Sequence, residues 1–169
     1  MKLSRPEQLT PTHDCSRFSC GKEALDRWIR ARALSNQRKG FTVVMVIHDG
    51  GRVVGYYGLA PTAVHPDSAP RSIRTGQPPN PIPALLLGQL ATDREYVGRG
   101  IGRTLVAHAL QRCLRAADLV GGRAVVVDAL DAEAAAFWRR YGFTPALDDP
   151  QRLFRSIPDI ASSLSAAGC

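Results

Sequence analysis

Ala84-Leu85-Leu86-Leu87-Gly88-Gln89-Leu90-Ala91 runs through Thr92 to Tyr96 into Val97-Gly98-Arg99-Gly100-Ile101-Gly102. The first stretch is a near-continuous apolar run, the pattern of a central strand buried on both faces. Beyond the glycines, Ile101, Leu105, Ala109 and Cys113 recur on one face with Val106 and Leu110 beside them, which predicts a helix from Ile101 to Leu119. Glycine adopts φ > 0 and lets a ligand approach the backbone closely. The first turn of a helix offers N–H groups with no intrahelical acceptor, at the positive end of the helix dipole. A glycine loop feeding a helix therefore cradles phosphates, and Arg99 and Arg103 add positive charge beside this one. A dinucleotide fingerprint fits less well. It needs GxGxxG directly after a strand, whereas the spacing here is GxGxG and Thr92 to Val97 intervene. The plain alternative is a loop whose glycines only make a turn.

Outward from this centre, regular elements alternate with loops. Upstream, residues 1 to 19 read as irregular, and Ala24, Leu25, Trp28 and Ile29 recur at helical spacing until the cluster Asn36 to Gly40. Phe41 to His48 and Arg52 to Val64 are two strands, and Asp49-Gly50-Gly51 between them is a hairpin signal. Residues 65 to 83 contain Pro66, Pro70, Pro78, Pro79, Pro81 and Pro83, which predicts a long surface loop carrying Arg71 and Arg74. Downstream, Arg123 to Ala129 is a buried strand. Asp131 is an N-cap for a helix over Ala132 to Tyr141, and Gly142 ends it. Phe143 to Pro145 and Leu153 to Ile157 read as a closing pair of strands. The expected architecture is one α/β (α+β) domain over residues 1–158, a mixed, mostly antiparallel sheet flanked by helices, with a short tail over 159–169.

Composition bounds the functional class. The chain has 169 residues, enough for one domain with a full core. No apolar run reaches the roughly 18 residues of a membrane span, and the N-terminal residues lack a secretory h-region, so a cytoplasmic protein without a membrane partner is expected. Cys15, Cys20, Cys113 and Cys169 show neither CxxC spacing nor paired histidines, so no metal site is indicated. Cys113 reads as a small core residue. The net charge is +7, and the excess is mostly arginine. That is either a solvated basic surface or the footprint of an anionic partner such as RNA or an acidic protein.

Leu90-Ala91-Thr92-Asp93 followed by Val97-Gly98-Arg99-Gly100-Ile101-Gly102 resembles the acetyl-CoA signature of the GNAT acetyltransferases, Gln/Arg-x-x-Gly-x-Gly/Ala, with Val97 where Gln or Arg is usual. Phe137-Trp138-Arg139-Arg140-Tyr141-Gly142-Phe143 is similar to the family's Phe-Tyr-x-x-x-Gly-Phe. Cys20 to Trp28, Val54 to Ala60, Asn80-Pro81-Ile82-Pro83, Asp128-Ala129-Leu130 and Arg152-Leu153-Phe154 look like the GNAT toxins of the TacT and AtaT kind, so that the likeness covers nearly the whole chain.

The resemblance implies the GNAT fold and acetyl-CoA as co-substrate. It implies pyrophosphate binding by backbone groups of Val97, Gly98, Arg99, Gly100, Ile101 and Gly102 with Arg103 beside them, and pantetheine contacts at Leu90, Ala91 and Thr92. It implies acetylation of the α-amine of aminoacyl-tRNA, which blocks translation, together with a homodimer and a ribbon-helix-helix antitoxin. Trp138 replaces the family's acid tyrosine. An indole N–H donates a hydrogen bond but is not a useful acid, so Tyr141, one helical turn on, is the other catalytic candidate. Arg71, Arg74, Arg139 and Arg140 are candidates for tRNA phosphates. The alternatives are a GNAT acting on a small amine or a protein N-terminus, with Asp93, Glu95 and Asp128 near the cleft, or a catalytically weak CoA-binding module.

Overall fold

In the computed structural model, which describes residues 1–167, seven strands form one mixed sheet in the order β1-β2-β3-β4-β5-β7-β6. The strands are β1 Glu7–Gln8, β2 Val43–Asp49, β3 Arg52–Val64, β4 Ile82–Thr92, β5 Ala124–Asp128, β6 Thr144–Pro145 and β7 Arg152–Ser156. The helices are α1 Glu23–Ala31, α2 Ala33–Arg38, α3 Arg71–Arg74, α4 Ile101–Val120, α5 Ala132–Arg140 and α6 Ile157–Ala167, with a 3₁₀ turn at Arg94–Tyr96. None of the described helices is long and apolar enough to cross a membrane. Two compact units divide the chain. One holds Met1–Ala60 and Gly88–Ala109, and the other holds Pro61–Leu87 and the chain from Leu110 onward.

In the first unit β2 pairs antiparallel with β3, and the two-residue turn between them places Gly50 at φ 56° and Gly51 at φ 98°. A type I′ hairpin turn needs positive φ at both positions. Strand alternation divides the two tyrosines of β3. Tyr56 stacks on Trp28 at 5.8 Å and donates its hydroxyl to the Leu25 carbonyl at 2.8 Å. Tyr57 turns the other way, its hydroxyl 2.8 Å from His108 Nδ1 on α4. Both are fully buried, so each hydroxyl needs its partner. Leu9, Phe18, Ile29, Val44 and Val46 complete the Tyr56 side.

In the second unit β5 runs parallel to β4 through Leu85↔Val125 and Leu86↔Val126, and antiparallel to β7 through five residue pairs from Ala124↔Ser156 to Asp128↔Arg152. Val64, Ile73, Ile82, Val126 and Phe154 form its core.

Four features depart from the sequence expectation. The N-terminal stretch contributes β1, which pairs Glu7 with Val46 and Gln8 with Met45. Two residues carry no periodicity to read. The first helix breaks at Arg32, which has φ −122° and separates α1 from α2. The proline-rich segment holds one helical turn, α3, in its proline-free stretch. Ile73 and Arg74 donate to the Pro70 carbonyl at 2.9 and 3.1 Å, and the buried Ile73 side chain anchors the turn. Beyond Ser156 the chain is helical through Ala167. Ser156 Oγ accepts from the Asp159 N–H at 3.2 Å, Pro158 sits in the first turn, and Ile160 is buried. The last residues of the expected tail, 168 and 169, lie outside the described residues.

Candidate active site

The glycine segment belongs to the first unit and is assembled from below by charge and hydrogen bonding. Asp93, at the end of β4, is buried and caps the 3₁₀ turn. It accepts from the N–H of Glu95 at 2.9 Å and of Ser19 at 3.0 Å. Arg52 neutralises it at 3.5 Å and reaches Glu95 at 3.0 Å. Tyr96 then donates its hydroxyl to Asp49 at 2.7 Å, and the guanidinium groups of Arg99 and Arg52 stand 4.9 and 5.1 Å from its ring centroid. The backbone hydrogen bond from Lys2 and the bond from Tyr96 hold the Asp49 carboxyl below its usual pKa. The same Tyr96–Asp49 bond pushes the phenol upward.

On this base the backbone turns through Gly98 at φ 84° and Gly100 at φ 78°. An L side chain rarely adopts that conformation. Space is open above both glycines: no atom comes within 4 Å of where a Cβ would sit. The first intrahelical bond of α4 runs from the Thr104 N–H to the Gly100 carbonyl at 3.0 Å. The N–H groups before Thr104 therefore point out of the helix start. Arg99 and Arg103 are exposed beside them, and Val97 is 68% exposed. Leu90 and Thr92 are half-buried at the end of β4 with Ala91 buried between them. The geometry fits a pyrophosphate: open backbone donors, a helix dipole and flanking guanidinium groups.

The second constellation lies in the other unit, at the end of α5. Asp131 caps this helix by accepting from the Ala134 N–H at 2.9 Å. Trp138 is buried, with Phe137 at 5.2 Å and Phe143 at 5.1 Å from its ring centroid. Tyr141 is half-buried at the C-cap, 5.1 Å from Phe137. Gly142 has φ 85°, and a Cβ there would meet Arg155 Nε at 3.1 Å. Arg155 is the residue that sequence reading missed. It donates to the Tyr141 carbonyl at 3.0 Å and pairs with Asp159 at 2.8 Å, which fixes the helix end. Nothing in the spacing of the sequence marks it. Arg71, Arg74, Arg139 and Arg140 are all exposed in this same unit, and Arg140 lies 5.9 Å over the Phe137 ring.

The acids and cysteines have structural duties. Asp93 and Glu95 are paired with Arg52, and Asp128 lies 3.2 Å from Arg152. Burial pushes the Cys113 thiol up to about 12, which keeps it protonated and unreactive. Among the described residues Glu7, His13 and His48 bring three ligand-type atoms within 4.8 Å of one another. Glu7 Oε1 lies 2.8 Å from Nε2 of each histidine. The Nδ1 of His13 accepts the Thr10 N–H at 2.9 Å, and that of His48 accepts the Gly51 N–H at 3.0 Å. A nitrogen that accepts carries no proton, so each Nε2–H donates to Glu7. A metal-bound imidazole instead donates from its second nitrogen. The trio is thus built as a clasp tying β1 to the end of β2.

Residues 40–145 match the acetyltransferase (GNAT) domain family, and the chain belongs to that family as an N-acetyltransferase of α/β GNAT fold. Within it, the chain is 40% identical over 156 residues to the tRNA-acetylating toxin of Mycobacterium tuberculosis, covering 92% of this chain and 93% of that one. The structure of AtaT complexed with acetyl-methionyl-tRNAfMet superposes with a TM-score of 0.86 at 29% identity, over 96% of this chain and 99% of that one. A Tyr-to-Phe variant of AtaT bound to acetyl-CoA and the C-terminus of the antitoxin AtaR gives 0.83 at 30% identity, over 98% and 99%.

Proposed function

We propose that this chain transfers the acetyl group of acetyl-CoA to the α-amine of an aminoacyl-tRNA and so acts as a translation-blocking toxin. The observation that carries this reading is the 40% identity to a tRNA-acetylating toxin across 92% of the chain. Acetyl-CoA supplies the acetyl group as a thioester. The backbone N–H groups from Val97 to Arg103 hold its pyrophosphate, and the open glycines let them reach it. In the transfer the amine nitrogen bonds to the acetyl carbon, the carbon–sulfur bond breaks and the amine loses a proton to water. The leaving sulfur takes a proton from the Tyr141 hydroxyl, which water then restores, because Trp138 is committed to ring packing and carries no acidic proton. The exposed Arg71, Arg74, Arg139 and Arg140 contact tRNA phosphates. The protein works in the cytoplasm as a homodimer and is silenced by a ribbon-helix-helix antitoxin.

A small amine or a protein N-terminus is the competing acceptor. Either arrives as a cation and needs acidic groups to receive it. Asp93, Glu95 and Asp128, the acids first in line for that task, are each already paired with an arginine. Incubation with labelled acetyl-CoA and a full set of charged tRNAs tests the reading. Label is expected on the aminoacyl end of at least one tRNA. Its absence from every tRNA, with label on free amines instead, overturns the assignment.

A further inference from the structure

β3 carries two glycines that sit on opposite faces of the strand. Gly55 shares its face with Tyr57, and Gly58 shares its face with Tyr56. Neither has positive φ, so neither is a glycine for the sake of a turn. Each is a glycine because another element lies on top of it. At Gly58 a Cβ would approach Gln89 Oε1 at 3.0 Å, Thr42 Oγ1 at 3.1 Å and the Trp28 ring at 3.6 Å, on the α1 side. At Gly55 it would fall 2.6 Å from Ile101 Cγ2 and 3.0 Å from Leu105 Cδ1, with the Ala91 carbonyl at 3.6 Å.

The atoms met at Gly55 decide the consequence. Ile101 is the first residue of α4 and follows Gly100 directly, so its backbone is part of the pyrophosphate loop. Its Cγ2 is a methyl on a β-branched carbon, whose χ1 is restricted. Ile101 and Leu105 are both buried, so neither can swing into solvent. A methyl group at position 55 is therefore accommodated by lifting the start of the helix.

We propose that Gly55 is a positioning residue for acetyl-CoA binding: its bare α-carbon is the seat on which Ile101, and with it the anion-binding start of α4, rests. The proposal depends on the cofactor reading of the glycine loop given above. Gly58 is the built-in control. It is a glycine of the same strand with close contacts of its own, at 3.0 and 3.1 Å, on the face that does not carry the loop.

The test is calorimetric titration of CoA into the purified wild-type chain and into Gly55→Ala, Gly58→Ala, Ile101→Leu and Gly55→Ala/Ile101→Leu. Thermal melts accompany each titration. Leucine keeps the volume of isoleucine but moves the branch off the β-carbon, which relieves the closest contact, the 2.6 Å approach of Ile101 Cγ2, and leaves the lesser one to Leu105 Cδ1 at 3.0 Å. Gly55→Ala is expected to weaken CoA binding about tenfold or more, because overpacking displaces the donors. The double variant is expected to bind as Ile101→Leu does, and Gly58→Ala as wild type, even where its melting temperature falls. Wild-type affinity in Gly55→Ala overturns the proposal, and so does an equal loss in Gly58→Ala. If Gly55→Ala does not fold, the double variant decides. Affinity equal to Ile101→Leu supports the seat, and weaker affinity overturns it. A wild-type chain that binds no CoA overturns the cofactor reading itself, and the seat with it.

Discussion

The start of α4 and the end of α5 are both helix ends with a glycine at positive φ, Gly100 at 78° and Gly142 at 85°. They use it in opposite ways. Around Gly100 the space a side chain would take is empty, while at Gly142 it is filled by Arg155 at 3.1 Å. The first end presents backbone N–H groups to whatever binds there, and side-chain identity matters little. The second is a stack of side chains, Phe137, Trp138, Tyr141 and Phe143, whose chemistry is the chemistry of each ring. Donors supplied by backbone do not depend on a side chain such as Val97. A stack of side chains depends on each ring, which is why Trp138 bears on the proposed transfer.

The comparison breaks most visibly at Tyr141. Phenylalanine keeps the ring against Phe137 and removes only the hydroxyl. If that hydroxyl protonates the leaving thiolate, Tyr141→Phe lowers kcat by about 10²- to 10⁴-fold and leaves the KM for acetyl-CoA unchanged. Trp138→Phe is expected to keep kcat within a few-fold of wild type, with its cost appearing as reduced stability. Steady-state kinetics on both variants separate the two. A collapse of kcat in Trp138→Phe with none in Tyr141→Phe assigns the transfer to the indole position instead.

A smaller effect is expected at the glycines. Gly100→Ala forces an L residue into the left-handed region, which costs roughly 1–2 kcal/mol, or about tenfold in CoA affinity where the loop yields instead of the helix. Gly142→Ala meets Arg155 and is expected to lower the melting temperature while CoA affinity holds. Titration and melting curves of the pair check this, and a Gly142→Ala variant that loses CoA affinity with its stability intact removes the distinction.

Much of this was legible in the sequence. The hairpin, β4, α4, β5 and the Asp131 cap follow from periodicity and turn chemistry, which act over a few residues. The glycine loop was legible for the same reason: its turn at Gly98 and Gly100 is a local backbone property. The seat at Gly55, the cap on Asp93 and the lock by Arg155 were not. Each joins residues far apart in the chain, Gly55 to Ile101, Ser19 to Asp93 and Tyr141 to Arg155, and each partner has an ordinary reading alone. β1 and α3 escaped because two- and four-residue elements are held by tertiary contacts. α6 could have been read from Ser156-Ile157-Pro158-Asp159, a capping sequence with proline near the helix start.

Acid and base reach the loop's foundation by the Asp49–Tyr96 bond. The folded pKa of Asp49 lies below its unfolded value. Its stabilising contribution is therefore present above the ordinary carboxylate pKa of about 4 and is lost as pH falls through the depressed value. Tyr96 is raised, so its contribution is present below about 10 and is lost as pH rises through the raised value. Asp49→Asn is expected to flatten the acid limb of the urea midpoint measured from pH 7 down to about 3. An unchanged acid limb would assign it to other carboxylates, Glu7 and Asp14, which are lowered by their own hydrogen bonds.

The smallest effect belongs to Val97, and it is the sharpest probe of the backbone argument. The GNAT signature has Gln or Arg at this place, yet Val97 is 68% exposed in extended backbone at φ −65° and ψ 147°. Glutamine fits that conformation without strain and could add one hydrogen bond, worth about 0.5–1.5 kcal/mol net. At an exposed position the lower end applies, so Val97→Gln is expected to tighten CoA by less than about threefold. Val97→Arg adds a charge that salt screens, so any further gain fades between low and physiological ionic strength. A salt-independent tightening of more than about tenfold in either variant, a step of 1.4 kcal/mol, would mean that the side chain at 97 carries binding the backbone does not. The start of α4 would then belong with the end of α5, among sites whose side chains decide what they do.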